Sequence, residues 1–136
     1  MIVADTNLLA YLNIEGAFNQ AARQVVLRDS EWVAPVLWRS ELRNTLVKCL
    51  WGGLIGRDEA FAIMTDAEAM MSFNEYDVAS DDVLELAASS GCSAYDAEFV
   101  VLAKDLGVPL VTTDKELLEK FPETAVSPEK FLAGER

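Results

Sequence analysis

The stretch Met1-Ile-Val-Ala-Asp-Thr-Asn7 opens the chain with a short apolar run that ends at an acidic residue. A run of this kind is typical of a buried strand. The segment Pro109-Leu-Val-Thr-Thr-Asp114 repeats the arrangement near the other end of the chain. In open α/β sheets, ligand sites lie at the carboxyl ends of the strands. We therefore expect Asp5 and Asp114 to project from one edge of a sheet.

Strands and helices alternate along the rest of the chain. Short strands separated by helices indicate an α/β fold with a central, mostly parallel sheet flanked by helices. Right-handed crossovers then bring the carboxyl ends of the strands to a shared edge. The predicted strands are 2–4, 32–34, 76–79, 108–111 and 125–126. The predicted helices are 8–12, 18–27, 36–51, 58–71, 80–88, 93–106 and 114–120.

Composition indicates one globular domain spanning residues 1–136, since no repeat or linker-like stretch interrupts it. The longest uncharged run, residues 86–95, is far shorter than the ~20 apolar residues of a membrane span. Asp5 interrupts the N-terminus and no basic segment precedes it, so we expect no signal peptide. The chain is therefore predicted to be cytoplasmic and not membrane-bound. Cys49 and Cys92 are predicted to be buried free thiols.

Four acidic residues stand out as candidate metal ligands: Asp5, Glu41, Asp96 and Asp114. The chain contains no histidine and only two cysteines, which excludes histidine-ligated and thiolate zinc centres. Oxygen ligands remain in quantity, and these suit Mg²⁺ or Mn²⁺. Carboxylates that converge without a cation repel one another and raise their pKa values. A bound metal ion would relieve that repulsion.

Each of these acids also has a purely structural explanation. Asp5 could cap the helix that begins near Asn7. Ser93-Ala-Tyr-Asp96 and Thr113-Asp-Lys-Glu116 both fit a helix capping box. Asp96 nevertheless ends an apolar helical stripe, a position where a charge usually has a partner or a metal ion. Glu41 could be an ordinary surface glutamate within its helix.

The formal charge of -12 is unusual for a nucleic-acid-binding protein, which commonly carries a basic patch. The charge is uneven, however. Residues 38–57 contain four basic residues against Glu41 alone, which makes this segment net +3. Arg39, Arg43 and Lys48 are therefore candidate phosphate contacts, although a solvated helix face explains them as well.

Five segments, taken in order, resemble the PIN-domain ribonucleases, and most closely the VapC-like toxins of prokaryotic toxin–antitoxin pairs. The similarity extends from residue 1 to about residue 127. The segments are Val3-Ala-Asp5-Thr-Asn7-Leu-Leu, Val36-Leu-Trp-Arg-Ser-Glu41-Leu-Arg-Asn44, Trp51-Gly-Gly-Leu-Ile55, Tyr95-Asp96-Ala-Glu-Phe99-Val-Val-Leu-Ala103 and Leu110-Val-Thr112-Thr-Asp114-Lys-Glu-Leu117.

The resemblance implies a PIN-like fold and a metal-dependent endoribonuclease. By motif position, Asp5, Asp96 and Asp114 would hold Mg²⁺ or Mn²⁺, with Glu41 bound directly or through water. One or two ions would activate a water for in-line attack on RNA. Hydrolysis would leave a 5′-phosphate and a 3′-hydroxyl. Thr112, Asn7 and, more weakly, Glu98 are supporting residues.

The resemblance also implies partners: an antitoxin, whose C-terminal segment would lie in the acidic cleft, and a second copy in a homodimer. A structured target such as transfer RNA, recognised by shape and a local loop, would suit the acidic surface. Exposed apolar residues would mediate the homodimer. Trp38, Trp51, Met70 and Met71 are instead predicted to be core residues.

Two alternatives belong to other functional classes. A PIN-like domain could retain all four acids and act only as a binding module. A phosphoacceptor receiver domain is also a compact acidic α/β protein with Mg²⁺ at strand ends. It would need an acceptor aspartate near residue 50, and residues 49–56 contain none.

Overall fold

The structure is a computed structural model that describes residues 1–134. Its centre is a five-stranded sheet in the order β3-β2-β1-β4-β5, and every pairing is parallel. The predicted α/β fold class is therefore confirmed. The strands are β1 (Ile2–Ala4), β2 (Trp32–Pro35), β3 (Glu75–Tyr76), β4 (Leu110–Val111) and β5 (Ala125–Val126).

Eight helices flank this sheet within the described residues. Helix α6 packs against β1, β2 and β4, whereas α1 packs against α2 and α3. None of the helices within residues 1–134 is long and apolar enough to cross a membrane. The helices are α1 (Thr6–Asn13), α2 (Asn19–Arg28), α3 (Trp38–Trp51), α4 (Arg57–Met70), α5 (Ser80–Ser90), α6 (Ala94–Leu106), α7 (Lys115–Lys120) and α8 (Pro128–Leu132).

Strand β1 is central because all three of its side chains are apolar and fully buried. Val3 lies opposite Val33 of β2 on one side and Leu110 of β4 on the other. A strand covered on both faces cannot alternate apolar and polar residues, which explains the continuous apolar runs of the sequence. The apolar core therefore fixes the position of Asp5, the first residue after β1.

The chain reverses its direction of travel across the sheet at β1. Strands β1 to β3 are added outward on one side, and the chain then returns to place β4 and β5 on the other. In open parallel sheets this reversal leaves a crevice at the carboxyl edge, where ligands bind. Receiver domains have the strand order 2-1-3-4-5, so the observed order differs from theirs. The crevice of this protein lies between the ends of β1 and β4.

Two strands are shorter than predicted. The prediction for β3 was residues 76–79, but this strand pairs only with β2, which ends at Pro35 opposite Tyr76. Without a partner, the chain beyond Tyr76 cannot continue the ladder. The prediction for β4 began at Val108, whose N–H instead donates to the carbonyl of Ala103 at the end of α6. Pro109, which follows, has no N–H to donate.

Glycine residues end two helices near their predicted positions. Gly91 and Gly107 adopt the left-handed conformation, with φ values of 77° and 66°. Glycine reaches this region without steric penalty and therefore commonly follows the last turn of a helix. Helix α5 nevertheless extends two residues beyond its predicted end at Ala88. The N-cap residue of α5 is Ala79.

The prediction that Trp51 lies in the core is wrong, since 80% of this residue is exposed. The buried residues of α3 are Trp38, Leu42 and Leu46, which follow a four-residue spacing. Trp51 lies five residues after Leu46, so its side chain is rotated away from that stripe. Among the cysteines, Cys92 is buried and Cys49 is partly exposed, and both are free.

Candidate active site

The four predicted acids lie around one cavity at the carboxyl edge of the sheet. Its volume is about 190 Å³. Asp5 and Asp114 are the N-cap residues of α1 and α7, and Asp96 and Glu41 lie in the first turns of α6 and α3. The lining residues are Asp5, Thr6, Asn7, Glu41, Asn44, Thr45, Asp96 and Asp114.

Asp5 follows β1 and occupies the N-cap position of α1. Its backbone carbonyl accepts from the N–H groups of Leu8 and Leu9, but its side chain makes no capping hydrogen bond. The carboxylate instead accepts a 2.6 Å hydrogen bond from the hydroxyl of Thr112, which follows β4. Helix capping therefore does not account for the Asp5 side chain.

Glu41 is held from the opposite side of the cavity. Its Oε1 accepts a 2.8 Å hydrogen bond from the Thr6 hydroxyl. Thr6 is the first residue of α1 and is only 4% exposed, so this bond lies inside the contact between α1 and α3. Glu41 is thus partly buried and fixed by a specific donor, unlike an ordinary surface glutamate.

Asp96 and Asp114 lie at the starts of two helices. The Ser93 side chain caps α6 by accepting from the Asp96 N–H, as predicted. The box proposed for Thr113 is wrong, because Asp114 itself caps α7 through the N–H groups of Glu116 and Leu117. Asp114 also donates its own N–H to the Thr112 hydroxyl. The capping explanation therefore holds for one oxygen of Asp114, whose side chain also lines the cavity.

The electrostatics of the cavity disfavour negative charge. Burial raises the pKa of Asp5, the Thr112 hydrogen bond opposes that rise, and the charges of Asp96 and Asp114 add to it. Burial likewise raises the pKa of Asp96, and the nearby Asp114 carboxylate raises it further. Clusters of this kind are common where carboxylates bind a cation or transfer a proton.

The pKa of Glu41 is raised for the same physical reasons. Burial is the largest cause, the Thr6 hydrogen bond opposes it, and the charges of Asp5, Asp96 and Glu98 contribute. A divalent cation placed among these groups would reverse the preference and favour the ionised forms. The cavity is therefore electrostatically suited to a cation.

The donor chemistry fits Mg²⁺ or Mn²⁺, because carboxylates, hydroxyls and side-chain amides are the only polar side-chain groups that line the cavity. Within residues 1–134, however, no three acidic or thiol side chains are close enough to form a ready-made metal site. Binding would therefore draw the carboxylates closer together. Without a cation the carboxylates repel one another, and a bound cation would remove that repulsion and allow them to move closer.

The supporting residues lie in different places. Thr112 bonds to Asp5, and Asn7 lies in the cavity wall. Glu98 faces a neighbouring groove, which it lines with Val36 and Tyr76, and its charge acts on Glu41 from there.

The three basic residues of α3 differ sharply. The Arg39 guanidinium is paired with Glu75 and Glu68. Arg43 and Lys48 are exposed. Lys48 lies four residues after Asn44 and three after Thr45, so it shares the cavity-facing side of α3 with them.

Three cavity residues escaped the sequence analysis: Thr6, Asn44 and Thr45. Asn44 and Thr45 follow Glu41 by three and four residues, and helical spacing places such residues on its face. That spacing could have identified them once Glu41 was selected. Thr6 carried no comparable signal, because a threonine after an N-cap position is ordinary at a helix start.

The PIN domain family model matches residues 2–123 of the chain. The chain belongs to the PIN domain family. PIN membership agrees with the strand order and leaves no support for a receiver domain. Ribonuclease VapC3 of Pyrobaculum aerophilum is 30% identical over 124 residues, which cover 89% of this chain and 95% of that protein. The resemblance to VapC-like PIN domains is thereby confirmed.

Two solved structures share the fold. The crystal structure of PAE2754 from Pyrobaculum aerophilum superposes with a TM-score of 0.78 at 23% identity, and the match covers 98% of this chain and 87% of that one. The FitAcB structure from Neisseria gonorrhoeae gives a TM-score of 0.68 at 15% identity, covering 95% and 99%. At these identities, the two similarities concern the PIN fold alone.

Proposed function

We propose that this PIN domain protein is a VapC-type endoribonuclease toxin that hydrolyses RNA phosphodiester bonds with the help of Mg²⁺ or Mn²⁺. The observation that carries the proposal is the arrangement of Asp5, Glu41, Asp96 and Asp114 around one cavity at the reversal point of the sheet. The VapC-type assignment rests on similarity to Ribonuclease VapC3. The domain that performs this activity would span residues 1–136.

Asp5, Asp96 and Asp114 would hold the metal ion, with Glu41 bound directly or through water. The ion would supply a water-derived nucleophile and neutralise charge on the phosphoryl oxygens. Thr112 orients the Asp5 carboxylate through its hydrogen bond. Asn7 would contribute an amide at the mouth of the cavity, and Glu98 would add negative charge behind Glu41.

The RNA would approach along α3, the helix with the local positive charge. Lys48 is the best placed of the three basic candidates, because it continues the face of α3 that lines the cavity. Arg43 is exposed on another side of the helix, and the Arg39 guanidinium is already paired with two carboxylates. Few basic side chains near the cavity are free to contact phosphates. This favours a structured target such as transfer RNA over nonspecific binding to RNA.

Two protein partners complete the proposal. A cognate antitoxin would lie in the acidic cleft, where a basic side chain would compete with the metal ion for the carboxylates. A second copy would form a homodimer. Trp51 and Leu54, at the connection between α3 and α4, are 80% and 74% exposed and provide apolar surface for association. Both partners would be met in the cytoplasm.

The test is cleavage of labelled total RNA by purified protein with Mg²⁺, with Mn²⁺ and with EDTA. Asp5→Asn and Asp96→Asn should each abolish cutting while the protein remains folded. Asp105→Asn, an exposed acid in the last turn of α6, is the matched control and should cut like wild type.

Metal-dependent cutting that survives in both cavity variants would contradict this assignment of the site. If folded wild-type protein binds the metal yet cuts no RNA, including a transfer RNA pool, the chain is a PIN-like binding module. If no metal binds to wild type, the mechanism proposed here is wrong.

A further inference from the structure

Thr6 and Thr112 are the two polar residues that are buried within residues 1–134. Each donates its hydroxyl hydrogen to an acid of the cavity. Thr112 bonds to Asp5, and Thr6 bonds to Glu41 at 2.8 Å. Burying a hydroxyl costs free energy unless the hydroxyl is hydrogen-bonded, so the buried Thr6 side chain needs its hydrogen-bond partner. That partner is a cavity carboxylate, not the backbone of the helix in which Thr6 lies.

We infer that Thr6 is a positioning residue for Glu41: its hydroxyl fixes one carboxylate oxygen and directs the other toward the cavity. The inference rests on the proposed nuclease function, in which Glu41 supports the metal ion. Thr6 need not touch the metal ion or the RNA. Its effect passes through Glu41.

The lengths of the two side chains explain why a positioning residue is needed. Glutamate has one more rotatable bond than aspartate, so Glu41 loses more conformational freedom when it is held in a single orientation. Asp5 and Asp114 are N-cap residues and Asp96 lies in the first turn of α6, so their shorter side chains stay close to a backbone that already restricts them. Glu41 reaches the cavity with a longer side chain, from the first turn of α3. A fixed donor on α1 therefore selects its orientation.

The location of Thr6 suits this role. It follows Asp5 directly, so the same turn of chain that presents one acid also carries the donor for another. Because α1 packs against α3, the hydrogen bond links the end of β1 to the helix that supplies Glu41. Partners that orient metal-binding residues in this way are typically worth 10–100-fold in metal affinity or activity.

The experiment compares Thr6→Val, which removes the hydroxyl but keeps the shape, with Thr6→Ser, which keeps the hydroxyl. Glu41→Ala and the double variant Thr6→Val with Glu41→Ala complete a cycle. Thr124→Val, a partly buried threonine just before β5 at the opposite edge of the sheet, controls for the chemical change. For each protein we would measure the Mn²⁺ affinity by titration, the kcat and KM of RNA cleavage, and the thermal unfolding midpoint.

Thr6→Val should lower kcat or Mn²⁺ affinity by about 10–100-fold, with KM for RNA unchanged. Thr6→Ser should restore most of the loss, and Thr6→Val should add little in the Glu41→Ala background. The inference is overturned if Thr6→Val behaves like Thr124→Val, if Thr6→Ser is equally impaired, or if the two losses are fully additive.

Failure of the proposed function would give a different pattern. If wild type cuts no RNA, the nuclease proposal fails, but the Mn²⁺ titrations still decide the role of Thr6. Non-additive losses of Mn²⁺ affinity in the cycle would then support it, and additive losses would overturn it. If wild type binds no Mn²⁺, both proposals fail together.

Discussion

The Thr112 hydroxyl donates a 2.6 Å hydrogen bond to Oδ2 of Asp5, and the two residues are 107 positions apart in the chain. The same hydroxyl accepts the backbone N–H of Asp114 at 3.0 Å. One side chain thus joins the acid that follows β1 to the acid that follows β4. The bond crosses the reversal point of the sheet, so it holds together the two halves of the candidate site.

Replacing Thr112 with valine should therefore damage stability and activity together. The change keeps the side-chain shape but leaves the partly buried Asp5 carboxylate without its hydroxyl donor, at a cost of about 1–3 kcal/mol. The free energy of unfolding, measured by chemical denaturation, should fall by that amount, and RNA cleavage should fall at least tenfold. Thr112→Ser keeps the donor and should recover most of both. Equal damage in the serine and valine variants would mean that the methyl group matters, not the hydroxyl.

Asp5→Asn should stabilise the metal-free protein at neutral pH while abolishing cleavage. The native pKa of Asp5 is raised above its ordinary value of 3.8, chiefly by burial. Protonated Asp5 therefore contributes stability that is fully present below pH 3.8 and is lost as the pH rises through the raised native pKa. Asparagine cannot ionise and escapes this loss. In EDTA, the difference between the thermal midpoints of variant and wild type should widen as the pH rises above about 4.

The midpoint of the variant must be compared with that of wild type at each pH, because other ionisable groups change the stability with pH in the opposite direction. The pKa of Glu75 is lowered by its hydrogen bond with Arg39, so Glu75 loses its stabilising effect as the pH falls. Asp105→Asn controls for the loss of one charge and should show no widening. Adding Mn²⁺ should stabilise wild type but not Asp5→Asn. A midpoint difference that is constant with pH would contradict the burial argument.

Lys48→Met should weaken RNA binding without changing the chemical step. Lys48 lies on the cavity-facing side of α3 and is exposed, so it can contact a phosphate. We expect KM to rise severalfold with kcat unchanged, and the salt dependence of binding to fall by about one ion. Arg43→Met removes the same charge from another side of the helix and should have a smaller effect. Equal effects in the two variants would indicate a general charge effect.

Arg39→Met should lower the thermal unfolding midpoint by a few degrees, because it removes the ion pairs that connect α3 to α4 and β3. The Arg39 guanidinium makes two 2.7 Å hydrogen bonds to the Glu75 carboxylate and also pairs with Glu68 on α4. The central carbon (Cζ) of the Arg39 guanidinium lies 5.4 Å from the ring centre of Trp38. Once the Arg39 guanidinium is removed, the Trp38 indole N–H is the remaining donor to the Glu75 carboxylate. Arg43→Met, measured by the same thermal scan, should leave the midpoint near wild type. A wild-type midpoint for Arg39→Met, with a large rise in KM, would instead favour the RNA-contact role predicted from sequence.

Much of the fold could be predicted because local signals and burial agreed. The apolar runs of β1 and β2 placed these strands within one residue, and the predicted bounds of α5 and α6 were within two residues of the observed ones. Strand β3 was misplaced because its length depends on where β2 ends, and a neighbouring strand is not visible in local sequence. The exposure of Trp51 was missed because composition alone does not show which side of a helix end is covered.

The residues of the candidate site could likewise be predicted only in part. The positions of Asp5 and Asp114 follow from the rule that parallel strands share one carboxyl edge. Glu41 could be selected from sequence only through the family resemblance, because it also has an ordinary explanation within its helix, whereas Asp96 was also marked by its place at the end of an apolar helical stripe. Thr6 required the structure, since its partner is 35 residues away and belongs to a different helix.

The position of β4 beside β1 has a consequence for synthesis of the protein. Asp5 is synthesised before Thr112 and Asp114, because it precedes Thr112 by 107 residues in the chain. Strand β1 lacks its second neighbour until β4 has been made, so a nascent or prematurely terminated chain carries some of the acids but has no closed cavity. Any activity that depends on the closed cavity can therefore arise only after Asp114 has been synthesised.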